Sequence, residues 1–295
     1  QCGSRGLGDV YKRQDLDGDG DFDLAVGDEA GLIKYYENVG SAERPKFVGR
    51  TGSANPFEGV SVEKYCAPRF VDIDGDGDLH LVVGEEKGGL TVYENKASSA
   101  VAPVVVEIAG AASPLGLVDV DIHASAAAYS APTLVDFDGD NDLDVVVGHE
   151  LELDTDGDDI ISIAELEAGA SAPTFFFYEN VGSSVAPAFV QKTGSDPFAF
   201  VDAYDGSAAA FGDMDQDGDL DLVVGDNMGS ILYYENVGSL TAAGYVARQG
   251  LASPLPPGMQ LEMESCNLAL GDLDGDGAVP RCLSRGPDRA TSIVP

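Results

Sequence analysis

Asp213, Asp215, Asp217, Asp219 and Asp221 stand at alternate positions in the run DMDQDGDLDLVVG, residues 213–225. Near copies read DLDGDGDFDLAVG from Asp15, DIDGDGDLHLVVG from Asp72 and DFDGDNDLDVVVG from Asp136, and a fifth begins DLDGDG at Asp272 and then departs. Each copy opens with carboxylates at positions 1, 3 and 5, usually followed by one at position 9. Side chains two apart on extended backbone share a face, whereas a tight glycine-containing loop turns them inward around one centre. Hard oxygen donors crowded in that way suit a calcium ion. Without a cation, so many carboxylates in so few residues would repel one another.

Asp-Gly between two apolar runs is also a hairpin-turn signal that needs no metal. One copy would leave the two readings level. Four copies with the same acid spacing favour calcium.

Charge tells the same story. The chain has 295 residues, with 16 basic against 52 acidic side chains and a formal net charge of −36. The five copies hold 22 aspartates, and residues 154–159 add four, so half of the acid is local to these loops. An acidic chain with no basic patch is not built to hold nucleic acid. With 44% apolar residues a core is available, and no run of 18 apolar residues suggests a helical membrane span. Cys2, Cys66, Cys266 and Cys282 show no zinc-type spacing, and His80, His123 and His149 are too scattered for a triad. Cys66 and Cys266 each lie six residues before a loop aspartate, where other copies have Ser130 and Ser207. A small buried residue is expected there, and buried thiols rather than a disulfide.

The elements that must position the aspartates repeat with them. A small-then-apolar segment precedes each later loop: APRFV (67–71), APTLV (131–135), AAAFG (208–212) and NLALG (267–271). After the loop comes an apolar run ending in glycine, then an aromatic segment: IKYYENVGS (33–41), LTVYENKAS (90–98), FFFYENVGS (175–183) and ILYYENVGS (231–239). A fourth segment follows at 45–48, 103–106, 187–190 and 244–247, then a Gly-Ser-Pro crossover. Short runs rich in Val, Tyr and Phe, punctuated by Gly, Pro and Asn, are antiparallel strands. A four-stranded unit recurring at this interval predicts an all-β propeller: four blades plus the start of a fifth, as a partial or closed ring. Residues 1–14 and 278–295 do not follow the repeat and hold five of the nine arginines, so both read as non-native ends of an internal fragment spanning 15–277.

The third unit carries 21 additional residues between its second and third strands, within about 150–170. They include DTDGDDIISIAE, where Asp154, Asp156, Asp158 and Glu165 match positions 1, 3, 5 and 12 of an EF-hand calcium loop. Asp159 stands where that loop normally has its glycine.

Taken together, the acidic loops, the strand ending VVG and the aromatic YEN strand resemble the FG-GAP and VCBS repeat family, to which integrin α-subunit propellers are similar. The resemblance covers about Asp15 to Gly277. It implies calcium in the hairpin between the first two strands of a blade, held by positions 1, 3, 5 and 9 and the backbone carbonyl of position 7. Carried over, the ligands are Asp15, Asp17, Asp19 and Asp23 with the carbonyl of Asp21; Asp136, Asp138, Asp140 and Asp144 with that of Asp142; and Asp213, Asp215, Asp217 and Asp221 with that of Asp219. The second site has Asp72, Asp74 and Asp76, with the carbonyl of Asp78, but His80 replaces the acid at position 9. Imidazole is a poorer ligand for a hard ion, so weaker binding is expected there. The fifth copy, Asp272, Asp274 and Asp276, lacks its closing ligand.

The implied protein is a calcium-stabilised extracellular or cell-surface module for adhesion or ligand binding, with a protein or glycan partner. A lectin-like propeller is one alternative, and a propeller of a polysaccharide-degrading enzyme another. The scarcity and scatter of Lys, Arg and His disfavour the enzyme, because lyase chemistry wants a base and a cation around one cleft.

Overall fold

The computed structural model describes residues 16–96, 105–118, 130–149, 174–192 and 197–255, apart from short breaks within these spans, together with the backbone of 268–271, 281–285 and 290–293. Among the described residues there are eighteen strands and no α-helix. None of the described helical turns is long and apolar enough to cross a membrane.

The strands form five antiparallel sheets. The first contains β1 (Leu24–Gly27), β2 (Ile33–Asn38) and β3 (Phe47–Arg50). The second contains β4 (Ala67–Val71), β5 (His80–Gly84), β6 (Leu90–Asn95) and β7 (Val105–Ile108). The third runs through β8 (Ala131–Val135), β9 (Asp144–Gly148), β10 (Phe175–Asn180) and β11 (Phe189–Gln191), and the fourth through β12 (Ala208–Gly212), β13 (Asp221–Gly225), β14 (Ile231–Asn236) and β15 (Tyr245–Arg248). Within every sheet, strands pair in chain order. Strand β4 packs beside β8, β8 beside β12 and β12 beside β16 (Leu268–Gly271), so the first strand of each sheet is innermost. This is a β-propeller, and the sheets are its blades.

The first and last sheets each show three strands among the described residues. In the first, residues 1–15, which precede β1 and its hairpin, lie outside the described residues. In the fifth, β16 is followed by β17 (Arg281–Arg285) and β18 (Ala290–Ile293), which extend the antiparallel order beyond Gly277 without the repeat's residue pattern. Backbone pairing needs no particular side chain, so the strand order continues where the motif does not.

Alternation along each strand builds the core between blades. Val82 and Val92 of blade two join Val145, Val147, Phe176 and Tyr178 of blade three. Leu81, Val83 and Tyr93, on the other face of blade two, join Ile33 and Tyr35 of blade one. Both faces of a middle blade are therefore dry, which is why the second strand reads as a continuous apolar run. The crossovers close these gaps. Phe57, Leu115 and Phe198 are 1%, 0% and 0% exposed, and each is a plug in a different interblade cluster.

The glycine ending the second strand has a steric cause. A Cβ on Gly27 would lie 1.9 Å from the Cys66 carbonyl oxygen, one on Gly84 2.1 Å from that of Ser130, and one on Gly148 1.7 Å from that of Ser207. The backbone entering the next blade crosses this spot, so no side chain fits. Cys66 is buried, at a position held by Ser130 and Ser207 in the following blades. Cys266 lies outside the described residues.

Candidate metal sites

Each acidic loop is the hairpin between the first two strands of a blade. Val135 pairs with Asp144 and Gly212 with Asp221, leaving positions 1 to 8 to turn. The turn is tight because positions 4 and 6 are left-handed: φ is 71° at Gly75 and 98° at Gly77, 77° at Gly139 and 73° at Asn141, and 66° at Gln216 and 101° at Gly218. Asparagine tolerates that region better than most residues, and glycine is free of the penalty.

Left-handed backbone turns successive N–H groups toward the loop's own acids. Asp136 accepts from Gly139 N at 2.8 Å and from Asn141 N at 3.1 Å. Asp213 accepts from Asp217 N and Gly218 N, both at 3.1 Å. Asp72 accepts from Gly77 N at 3.1 Å. Position 5 likewise accepts from the N–H of position 7, as in Asp142 N to Asp140 at 3.0 Å and Asp219 N to Asp217 at 3.1 Å. The curled loops bring carboxylates together: in Asp72–Asp74–Asp76, Asp136–Asp138–Asp140 and Asp213–Asp215–Asp217, one oxygen from each residue lies within 4.8 Å of the others. Three anionic oxygens at that separation form a donor set for a divalent cation.

Position 9 has a further job. Asp221 is 0% exposed; its Oδ1 accepts from Asn236 N at 2.8 Å, and its Oδ2 from Met214 N and the Tyr233 hydroxyl, both at 2.9 Å. Asp23 repeats the pattern with Asn38 N, Leu16 N and the Tyr35 hydroxyl. Asp144 accepts from Asn180 N at 2.8 Å and Phe137 N at 3.2 Å. This acid therefore ties the loop's second residue to the end of the third strand. The asparagine continues the chain of bonds: Asn236 Oδ1 accepts from Gly238 N and Gly244 N, and Asn180 Oδ1 from Gly182 N and Ala188 N, which fixes the third turn.

Position 2 locks the loop to the neighbouring blade. Phe137 packs against Phe177 of its own blade and against Phe211 and Tyr245 of the next, with ring centroids 5.1, 6.1 and 6.5 Å away. Ile73 and Met214 are 3% and 1% exposed.

These carboxylates are electrostatically uncomfortable. Burial, opposed by the N–H bonds from Asn180 and Phe137 and reinforced by the charges of Asp138 and Asp142, pushes Asp144 up to about 7. Asp219 is pushed up to about 6 by burial and then by the charges of Asp217, Asp221, Asp215 and Asp213. Burial likewise raises Asp136, Asp142, Asp215, Asp17 and Asp23. The position 7 side chains add a specific deficit: Asp142 Oδ1 and Asp219 Oδ1 are buried with no hydrogen-bond partner. Buried anionic oxygens left unsatisfied beside other acids fit a site completed by a cation.

In the first loop, Asp19 N donates to Asp17 and Asp21 N to Asp19, the same inward turn, while Asp15 lies outside the described residues. In the second, Asp76 N donates to Asp74 and Asp78 N to Asp76, and His80 occupies position 9. Asp154, Asp156, Asp158 and Glu165 of the insert, and Asp272, Asp274 and Asp276, also lie outside the described residues.

Comparison with known proteins agrees with the repeat. Residues 15–83 match the family model of the FG-GAP-like repeat. The chain is a β-propeller whose first acidic hairpin and the start of its second blade are similar to an FG-GAP-like repeat. No curated protein matches it. A solved structure of an Agrocybe aegerita lectin, described as recognising non-reducing terminal N-acetylglucosamine, is similar at 16% identity and a TM-score of 0.43, covering 94% of this chain and 78% of that one.

Sequence spacing anticipated the acids at positions 1, 3 and 5 and their convergence. It did not show that position 9 is a hydrogen-bond hub, nor that Tyr35, Tyr233 and the YEN asparagines serve it. The signal was present in the recurrence of Tyr and Asn at fixed distances from each loop, but a tyrosine in a strand reads first as core.

Proposed function

We propose that this FG-GAP propeller binds calcium in its blade hairpins and works outside the cell as an adhesion or ligand-binding module. The observation that carries the reading is the convergence of the first three loop acids, in three blades, to within 4.8 Å. Asp136, Asp138 and Asp140, with Asp142 and Asp144 beside them, and Asp213, Asp215 and Asp217, with Asp219 and Asp221, are the residues that would hold the ion. Asp17, Asp19, Asp21 and Asp23 follow the same design with Asp15. Calcium supplies the positive charge that these acids otherwise lack.

The ion's role in this reading is mechanical. It cancels repulsion inside a loop whose second residue is a wedge between blades, so occupancy stiffens the contact between neighbours. An ion that binds only the folded form, at 100 times its dissociation constant, adds about 2.7 kcal/mol of stability per site. Extracellular calcium modules have weak sites, with dissociation constants of about 0.1–1 mM, which is why a secreted or surface setting is proposed.

Ligand recognition is assigned to the side opposite the metal hairpins. The first turns share their side with third turns: Gly75 approaches Ser184 and Val185 of the next blade. The second turns share theirs with the crossovers, as in the bridge of Leu32 with Ser61 and the bonds from the Ser130 hydroxyl to the Glu85 and Gly89 carbonyls. Crossover segments vary most between blades, so they carry partner choice. The partner is a protein or a glycan.

Equilibrium dialysis with atomic absorption, paired with melting curves in calcium and in chelator, tests the proposal. Bound calcium at two or more equivalents per chain, with a melting temperature that falls on chelation, is the expected result. Failure to retain calcium, or a melting curve indifferent to it, would overturn the reading. A glycan array run with and without calcium then separates a sugar partner from a protein.

A further inference from the structure

Blade two departs from its neighbours at position 9 of the hairpin, where a histidine replaces the aspartate. His80 stands at position 9, paired with Val71, and is 3% exposed. In blades one and four the acid at this position receives a tyrosine hydroxyl. In blade two the residue at the tyrosine's place, opposite Val82, is Val92, and in blade three it is Phe177, neither of which has a group to donate. His80 Nδ1 is buried without a hydrogen-bond partner. Its Nε2 lies 3.8 Å from Asp74 Oδ2, too long for a hydrogen bond, and so faces the acidic group.

A buried imidazole is normally held by a hydrogen bond at one or both nitrogens, or by a metal. Here its Nε2 faces Asp74, whose carboxylate is grouped with those of Asp72 and Asp76, one oxygen of each lying within 4.8 Å of the others. The three clustered carboxylates are those of the other hairpins, but the buried side chain at position 9 now offers a ring nitrogen, 3.8 Å from Asp74, where the others offer an oxygen. Oxygen-only sites suit calcium and magnesium, whereas imidazole suits zinc, nickel, copper and iron, and affinity for such mixed sites climbs through the first-row divalent series.

We infer that the blade-two hairpin, through Asp72, Asp74, Asp76 and His80, is a site for a divalent transition-metal ion of the zinc class, set among calcium-type hairpins. The inference rests on the reading of these hairpins as metal sites and changes the ion for one of them. The propeller then carries two classes of ion in one fold. Calcium stiffens the other blades, and blade two responds to zinc-class ions in a calcium-rich medium.

The test uses the full chain, stripped with chelator and then held in millimolar calcium so that the oxygen-only loops are filled. Cobalt(II) is the probe, because its visible absorption reports ligation directly, and zinc is the competitor. One equivalent of cobalt should bind with a visible ligand-field band and be displaced by zinc. His80→Ala should weaken that binding at least tenfold. His80→Asp, which installs the residue found at 23, 144 and 221, should abolish the band and raise bound calcium by one equivalent; it also covers the case in which His80→Ala does not fold. Cobalt uptake in calcium that is unchanged by either substitution would overturn the assignment, as would a parent chain that already binds as much calcium as His80→Asp. Cobalt binding that depends on His80 in a chain that retains no calcium would support this site while defeating the calcium reading of the other loops.

Discussion

The Tyr233 hydroxyl donates to Asp221 Oδ2 at 2.9 Å, twelve residues back across the hairpin, and Tyr35 makes the same bond to Asp23. Blade three has Phe177 at the corresponding place, opposite Val146, so Asp144 keeps only its two backbone donors. The bond raises both tyrosines well above the ordinary phenol value, second only to burial as a cause. It also opposes the burial that raises the two aspartates.

Moving this hydroxyl should move stability. Tyr233→Phe leaves a buried carboxylate one donor short and should cost about 1–3 kcal/mol. Phe177→Tyr should do the reverse for Asp144, lowering its pKa from about 7 and stabilising the metal-free chain at neutral pH. Urea denaturation gives the stabilities, and NMR titration of the Asp144 carboxyl carbon gives the pKa. A Phe177→Tyr chain with an unmoved Asp144 titration would refute the exchange.

The metal-free propeller should be more stable in mild acid than at neutral pH. Asp219 and Asp144 are raised from an ordinary value of 3.8 to about 6 and about 7, so between these limits the folded state holds protons the unfolded chain has released. Stability then falls as pH rises through the window. Bound calcium reverses the slope, because its ligands must be ionised. In chelator the melting temperature should drop between pH 5 and 7.5, and the gap between calcium and chelator should widen over the same range.

Glycine at the end of the second strand should resist replacement. Gly148→Ala drives a methyl group into the Ser207 carbonyl, which belongs to rigid backbone, and should cost about 3 kcal/mol. Gly49→Ala is the control, since its Cβ would meet only the Tyr36 ring at 3.4 Å. Equal midpoints in urea for the two variants would contradict the steric account.

Gln216 is a different case. It holds φ at 66° in the position that Gly75 and Gly139 fill in their loops. Left-handed backbone costs an ordinary residue about 1–2 kcal/mol, and glycine's extra chain entropy returns about 0.5–1 kcal/mol of that. Gln216→Gly should therefore stabilise modestly, by about 0.5–1 kcal/mol. Chemical denaturation in chelator isolates this backbone effect from any change in ion affinity.

Amino-acid order alone determined the blade. Alternate aspartates, Asp-Gly turns, an apolar run ending in glycine and an aromatic strand are local patterns, and turn chemistry and two-residue alternation act over a few residues. They placed the hairpins, the strand order and the convergent acids at positions 1, 3 and 5. Tertiary structure alone decided what each residue meets across the chain. Asp144 is held by Asn180, 36 residues away. Gly148 is required by the carbonyl of Ser207 in the next blade, and Phe57, Leu115 and Phe198 leave their crossovers to fill interblade gaps. His80 shows the division best: its place in the motif marked a lost acid, but only the fold shows that it is buried, that its Nδ1 has no hydrogen-bond partner and that its Nε2 faces Asp74. Close packing joins residues that share no local pattern, so such relationships become visible only once the blades stand side by side.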